Sequence, residues 1–125
     1  MDQRRLADAS TVSFARRLIA IDDLRARTFR GRHFSAGDWR ILLELFVATE
    51  EGRWSPVSTL TNNATMARST ALHRIAEMID QGSLLREADP TDGRRFFISL
   101  DPGLHEWLND TLAGIAERDE HAHGS

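Results

Sequence analysis

Cysteine is absent from this chain, and so is lysine. Without cysteine, disulfides and thiolate metal sites are excluded. Without lysine, all 16 basic residues are arginine. Arginine suits phosphate and base-edge contacts, although a genomic composition bias yields the same count. Long apolar runs are missing too. The longest, ILLELFVA at 41–48, is broken by Glu44 and is far too short to span a bilayer. The opening MDQRRLADAS is charged and has no apolar centre, so no secretory signal is expected. There is no glycine-rich phosphate loop and no His-Glu-x-x-His motif. We expect a soluble, cytoplasmic protein that is not an enzyme, with no cofactor and no membrane partner.

The 125 residues amount to one domain, large enough for a core that needs no disulfide or metal. The net charge of -3 argues mildly against bulk nucleic-acid binding. Its distribution is uneven. Residues 1–40 carry nine arginines against five acids, and residues 96–125 carry one against six. A DNA-binding role therefore depends on where the charges sit, not on their sum.

Residues 3–27 read as a helix, with apolar positions at Leu6, Val12, Phe14, Leu18, Ile21 and Leu24. These cover more than one face, so the helix is expected to pack beyond its own domain. Ser35, followed three residues later by Asp38, opens a second helix with a capping-box pattern. Its stripe is Trp39, Leu42, Leu43 and Phe46, and Gly52 ends it. SPVSTLTNNA predicts a short helix capped by Ser55 with Pro56 in its first turn, ending in a turn at Asn62 and Asn63. A further helix is expected over 67–81, stopped by Gly82. SLLREADPTDGRRFFISL then reads as a hairpin, with Phe96, Ile98 and Leu100 on one face of its second strand. Asp101 and Pro102 start a last helix through Leu104, Leu108, Leu112 and Ile115, and the polar tail ERDEHAHGS is expected to fray.

A helix-turn-helix followed at once by a hairpin is a winged helix. The expected fold is mainly α with a small β-hairpin wing, a long N-terminal helix and a C-terminal helix for dimerisation. On the helix at 67–81, Leu72, Ile75 and Ile79 lie on one side with Ala71 and Met78 beside them. Ser69, Thr70, His73, Arg74 and Glu77 lie opposite. A recognition helix enters the major groove by its N-terminal end. Ser69 and Thr70 would enter first, and His73 would donate to an acceptor such as guanine N7. Arg68 and Arg74 flank that row at phosphate reach. An ordinary solvated face has the same composition. In the wing, a narrow minor groove would attract Arg94, with Asp92 holding its guanidinium in a bidentate pair. Arg95 stands beside it. A solvated hairpin tip also uses Asp and Gly.

DWRILLELF and SPVSTLTNNATMARSTALHRIAEMIDQGSLLREADPTDGRRFFISL, with the helix after them, resemble the MarR family of winged-helix transcription regulators. The likeness runs from about residue 36 to 115 and includes an Asp-x-Arg wing at Asp92 and Arg94. It implies that Arg94 enters the minor groove, that Asp92 orients it, and that Ser69, Thr70, His73 and Arg74 are presented to DNA. Ser83 departs from the family's glycine–leucine step, and Asp101 stands where threonine is usual. The resemblance also raises a small aromatic acid as effector, with Phe29, Phe34, Trp39 and Trp54 as lining. The plainer alternative makes Trp39 and Trp54 core.

Arg25, Arg27, Arg30 and Arg32, followed by His33, would bind phosphate at a helix end, extend a DNA footprint, or pair with Asp22 and Asp23 or with the acidic C-terminal helix of a partner. His121 and His123 form a His-x-His pair too sparse for a structural metal site. We divide the chain into a dimerisation helix with basic connector (1–34), a DNA-binding winged helix (35–101) and a C-terminal helix with its tail (102–125). The expected function is that of a bacterial-type regulator, a homodimer on a near-palindromic double-stranded DNA site. The rival is a winged-helix module that binds a partner protein, with little specific affinity for DNA.

Overall fold

The computed structural model describes the backbone of residues 6–124 and the side chains of residues 6–117. Five helices and one hairpin follow in the order α1 (Ala9–Arg25), α2 (Ala36–Glu50), α3 (Val57–Asn63), α4 (Arg68–Asp80), β1 (Leu84–Ala88), β2 (Phe96–Leu100) and α5 (Pro102–Gly124).

The first helix starts later than its periodicity suggests. Asp8 caps it, its carboxylate accepting the Thr11 N–H at 2.9 Å. Residues 3–5 of the expected span lie outside the described residues. Only Ser13 and Leu24 of α1 are buried, while Val12, Phe14, Leu18 and Ile19 stay exposed. The helix packs along α5.

The capping box at the start of α2 is present, with Ser35 and Asp38 each accepting the other's backbone N–H. The helix is more deeply enclosed than its predicted stripe. Ile41, Leu45 and Ala48 are buried with Trp39 and Leu42, while Leu43 and Phe46 are only partly so. The reason is that α2 is the central element and has neighbours on several sides. Leu60 of α3, Ile75 and Met78 of α4, Ile98 of β2 and Leu104 and Leu108 of α5 belong to the same core.

Ser55 does not cap α3. Pro56 holds the N-cap position without a side-chain bond. Ser55 is buried, and its carbonyl accepts the Ile98 N–H at 2.9 Å. With the Pro56–Phe97 bridge, this bond gives β2 a second backbone partner beside β1. The hairpin is antiparallel, with Leu84 opposite Leu100 and Ala88 opposite Phe96. Ile98 and Leu100 point inward and are buried.

Ser83 does more than lengthen the step into β1. It is fully buried, and its carbonyl accepts the Asp101 N–H at 2.9 Å. Its hydroxyl accepts from Arg32 Nη1 at 2.8 Å, tying the connector to the wing's base. Asp101 caps α5 by accepting the Leu104 N–H at 3.1 Å. The tail expected to fray is helical to Gly124. ERDEHAH has no proline or glycine to break the helix before that residue. The His121–His123 pair lies outside the described side chains.

Candidate nucleic-acid interface

The α4 helix is turned by roughly a fifth of a turn from its predicted orientation. Ala71, Ile75 and Met78 face the core, whereas Leu72 is 39% exposed. The five apolar positions span a wide arc, and sequence alone placed its centre one residue off. Arg68, Ser69, Thr70 and His73 remain on the solvent side. The helix begins at Ala67, which has no side chain able to cap it, and its first turn holds no acid. By contrast α1 and α2 are capped by Asp8 and Ser35. The uncapped N–H groups of α4 favour an anion, by direct hydrogen bonding and by the helix dipole.

Arg74 was predicted to reach phosphates, but its guanidinium is already engaged. Nε lies 2.9 Å from Asp38 Oδ1 and Nη2 lies 2.7 Å from Asp38 Oδ2. Nη1 pairs with Glu77. Asp38 is fully buried. Burial pushes its carboxyl upward in pKa, but the Arg74 and Ser35 hydrogen bonds and the Arg74 charge outweigh that. The net effect holds it below the usual carboxylate value. The same partner raises the Arg74 pKa. Asp38 thus caps α2 and anchors α4, a role that its capping-box position did not reveal. Its partner lies 36 residues away in sequence. Next to this pair, His73 Nε2 stands 2.9 Å from Glu77 Oε1.

The wing divides its two arginines. Arg95 Nε is 4.0 Å from Asp89, and its guanidinium lies 5.8 Å from the Phe97 ring centre. Arg94 is exposed, and its guanidinium has no hydrogen-bonding or ionic partner among the described residues. The predicted carboxylate–guanidinium pair between Asp92 and Arg94 does not form. Asp92 Oδ1 instead accepts the Arg94 backbone N–H at 3.0 Å, and its carbonyl accepts the Arg95 N–H at 3.0 Å. Asp92 therefore sets the turn and leaves the guanidinium free.

Sequence reasoning passed over Asp89. Its side chain is nearly buried, and it accepts both the backbone N–H and the hydroxyl of Thr91 at 2.8 Å. These two bonds are the main cause of a carboxyl pKa held below its usual value. Its own N–H donates to the Arg95 carbonyl at 3.0 Å, closing the loop. The signal was there in Asp-Pro-Thr, a side chain placed to bond the backbone two residues on.

The aromatic residues separate in the same way. Phe34 and Trp39 meet edge to face at 5.6 Å, and Trp107 lies 5.4 Å from Phe29 and 6.0 Å from Trp39. Trp39 is core, and its buried indole N–H has no acceptor among the described residues. Trp54 is not core: it is 67% exposed and stacks on Phe97 at 4.8 Å. It follows Gly52, outside the helical pattern that buries Trp39. In the basic connector, Arg25 pairs with Asp22 at 3.7 Å and Arg30 with Asp101 at 3.8 Å. Among the described residues no helix is long and apolar enough to cross a membrane.

Neither a protein-family model nor a curated protein matches the sequence. Solved structures do match in fold. A probable transcriptional regulator from Pseudomonas aeruginosa is similar over 90% of this chain and 78% of its own, at 24% identity and a TM-score of 0.56. NadR, solved in complex with 4-hydroxyphenylacetate, covers 97% of this chain and 82% of its own at 17% identity, with a TM-score of 0.60. AbsC, a MarR-family transcriptional regulator from Streptomyces coelicolor, covers 96% and 79% at 21% identity, with a TM-score of 0.51. The fold is that of the MarR-type winged helix.

Proposed function

We propose that this chain is a sequence-specific DNA-binding transcriptional regulator of the MarR type, acting as a homodimer on a near-palindromic site. The observation that carries this reading is the N-terminal end of α4. It is exposed, uncapped by its own sequence, free of acids, and offers Arg68, Ser69 and Thr70 together. That end enters the major groove. Arg68 and the helix N–H groups hold phosphate, Ser69, Thr70 and His73 meet base edges, and Arg94 enters the minor groove. Arg74 and Asp92 act indirectly, by fixing α4 and the wing turn. Arg95 contributes charge at the wing's root.

The homodimer is supported by α1, where Val12, Phe14, Leu18 and Ile19 are all 44–62% exposed. An apolar face of that kind on a long helix calls for a partner. Two copies also supply the two half-sites that a palindrome requires. A small aromatic acid is the effector class we propose, since NadR was solved with one.

The rival, a protein-interaction module, draws on the exposed Trp54–Phe97 stack. Salt separates the two. Binding to a labelled duplex from upstream of the chain's own gene, measured at two salt concentrations with unrelated DNA as competitor, should weaken steeply with salt. It should nevertheless survive the competitor. A folded dimer that binds no duplex at low salt would favour the rival.

A further inference from the structure

Four side chains form a polar relay from the core to the solvent face of α4. Asp38, buried on α2, holds two nitrogens of Arg74. The third nitrogen of Arg74 holds Glu77. Glu77 lies 2.9 Å from Nε2 of His73, whose side chain is 70% exposed. Glu77 is thus fixed from behind by Arg74 and presents its other oxygen to the imidazole. Glu77 and Arg74 on α4, with Asp38 behind them on α2, are the charged groups of this relay.

A carboxylate accepts and cannot donate when ionised, so the imidazole nitrogen facing it carries the proton. In neutral His73 that leaves Nδ1 as an acceptor. The sequence suggested the opposite, a histidine donating to guanine N7. Resting on the DNA-binding reading above, we infer that Glu77 is a positioning residue for base selection. It accepts the hydrogen bond from the Nε2–H of His73, so that α4 offers Nδ1 to an exocyclic amino group, adenine N6 or cytosine N4, in the major groove. Those two bases present a donor there, whereas guanine presents two acceptors. Glu77 also sets a negative charge beside the base-reading row, which disfavours a closer approach by phosphate.

The test is selection from a pool of randomised duplexes by the full-length protein, read as base frequencies at each position. Wild type, His73→Ala, Glu77→Ala, Glu77→Gln and the His73→Ala/Glu77→Ala double variant are compared. One position per half-site, identified as the one that His73→Ala flattens, should favour adenine or cytosine by about five- to tenfold, the scale of a single base contact. Glu77→Ala should erase that preference or turn it toward guanine while leaving the other positions sharp. The double variant should match His73→Ala. Glu77→Gln, whose amide oxygen still accepts, should keep the wild-type preference.

Guanine at that position in the wild type would overturn the inference. So would a Glu77→Ala profile that is unchanged, or one blurred equally at every position, which marks a merely structural role. If folded wild type enriches nothing, the DNA-binding reading itself fails and takes the inference with it.

Discussion

Replacing Arg74 with methionine keeps much of the side chain's apolar stem but removes the charge that matches Asp38. The carboxylate of Asp38 is fully buried and loses two hydrogen bonds, at 2.9 and 2.7 Å. Removing one partner of a buried pair costs about 3–5 kcal/mol, because the other charge stays buried. Arg74 is 29% exposed, so water screens part of the loss, and Asp38 keeps its bonds with Ser35. About 2–3 kcal/mol of lost stability is expected, or roughly 10 °C in the melting temperature.

The pH dependence gives a second check. Asp38 titrates below its ordinary value in the folded wild type, because its hydrogen bonds and the Arg74 charge outweigh its burial. A depressed folded pKa gives stability that is fully present above the unfolded pKa and lost as pH falls through the folded one. In Arg74→Met, burial is opposed by fewer bonds and the folded pKa rises. The difference between the two proteins should therefore be largest near neutral pH and shrink in acid. Urea denaturation of both proteins across a pH series measures it. A loss below about 1 kcal/mol that does not change with pH would refute the anchoring role.

Three further outcomes follow from the same geometry. Arg94→Ala should lower DNA affinity and reduce the salt slope by about one counterion, while Arg95→Ala, drawn back toward Asp89 and Phe97, should do less; titrations at several salt concentrations compare them. Asp89→Asn should loosen the wing loop, raising amide exchange at Thr91. The wild-type loop should loosen likewise on acidification, because the lowered Asp89 pKa makes its bonds present above the ordinary Asp value and lost as pH falls through the lowered one. Phe14→Glu combined with Ile19→Glu should yield a folded monomer by sedimentation, with weakened DNA binding; an unchanged dimer would place the interface elsewhere.

Much of the fold was legible because its signals are local. The capping box at Ser35 and Asp38, the stops at Gly52 and Gly82, and the alternation of Phe96, Ile98 and Leu100 each act within a few residues. The exposed row of the site was legible for the same reason, since Ser69, Thr70 and His73 follow from helical periodicity. The misses were contacts that sequence spacing does not encode. Arg74 looked like a surface cation because Asp38 lies on another helix. Asp92 looked like a partner for the Arg94 side chain, but the turn used its carboxylate for the backbone instead. Trp54 reads as core from its apolar position flanking the helix-turn-helix, but it sits beyond the end of α2 and is exposed. The centre of the α4 apolar arc could not be fixed to one residue when five adjacent positions qualified.

In the DNA complex proposed above, α4 reads the major groove while Arg94 reads the minor groove. A crystal structure of the dimer bound to a duplex selected from the randomised pool tests it most directly. Ser69, Thr70 and His73 should lie at base edges and Arg94 inside the minor groove, with Arg74 still held by Asp38. A complex in which the duplex lies away from α4 and the wing, or in which Arg74 leaves Asp38 for a phosphate, would contradict it.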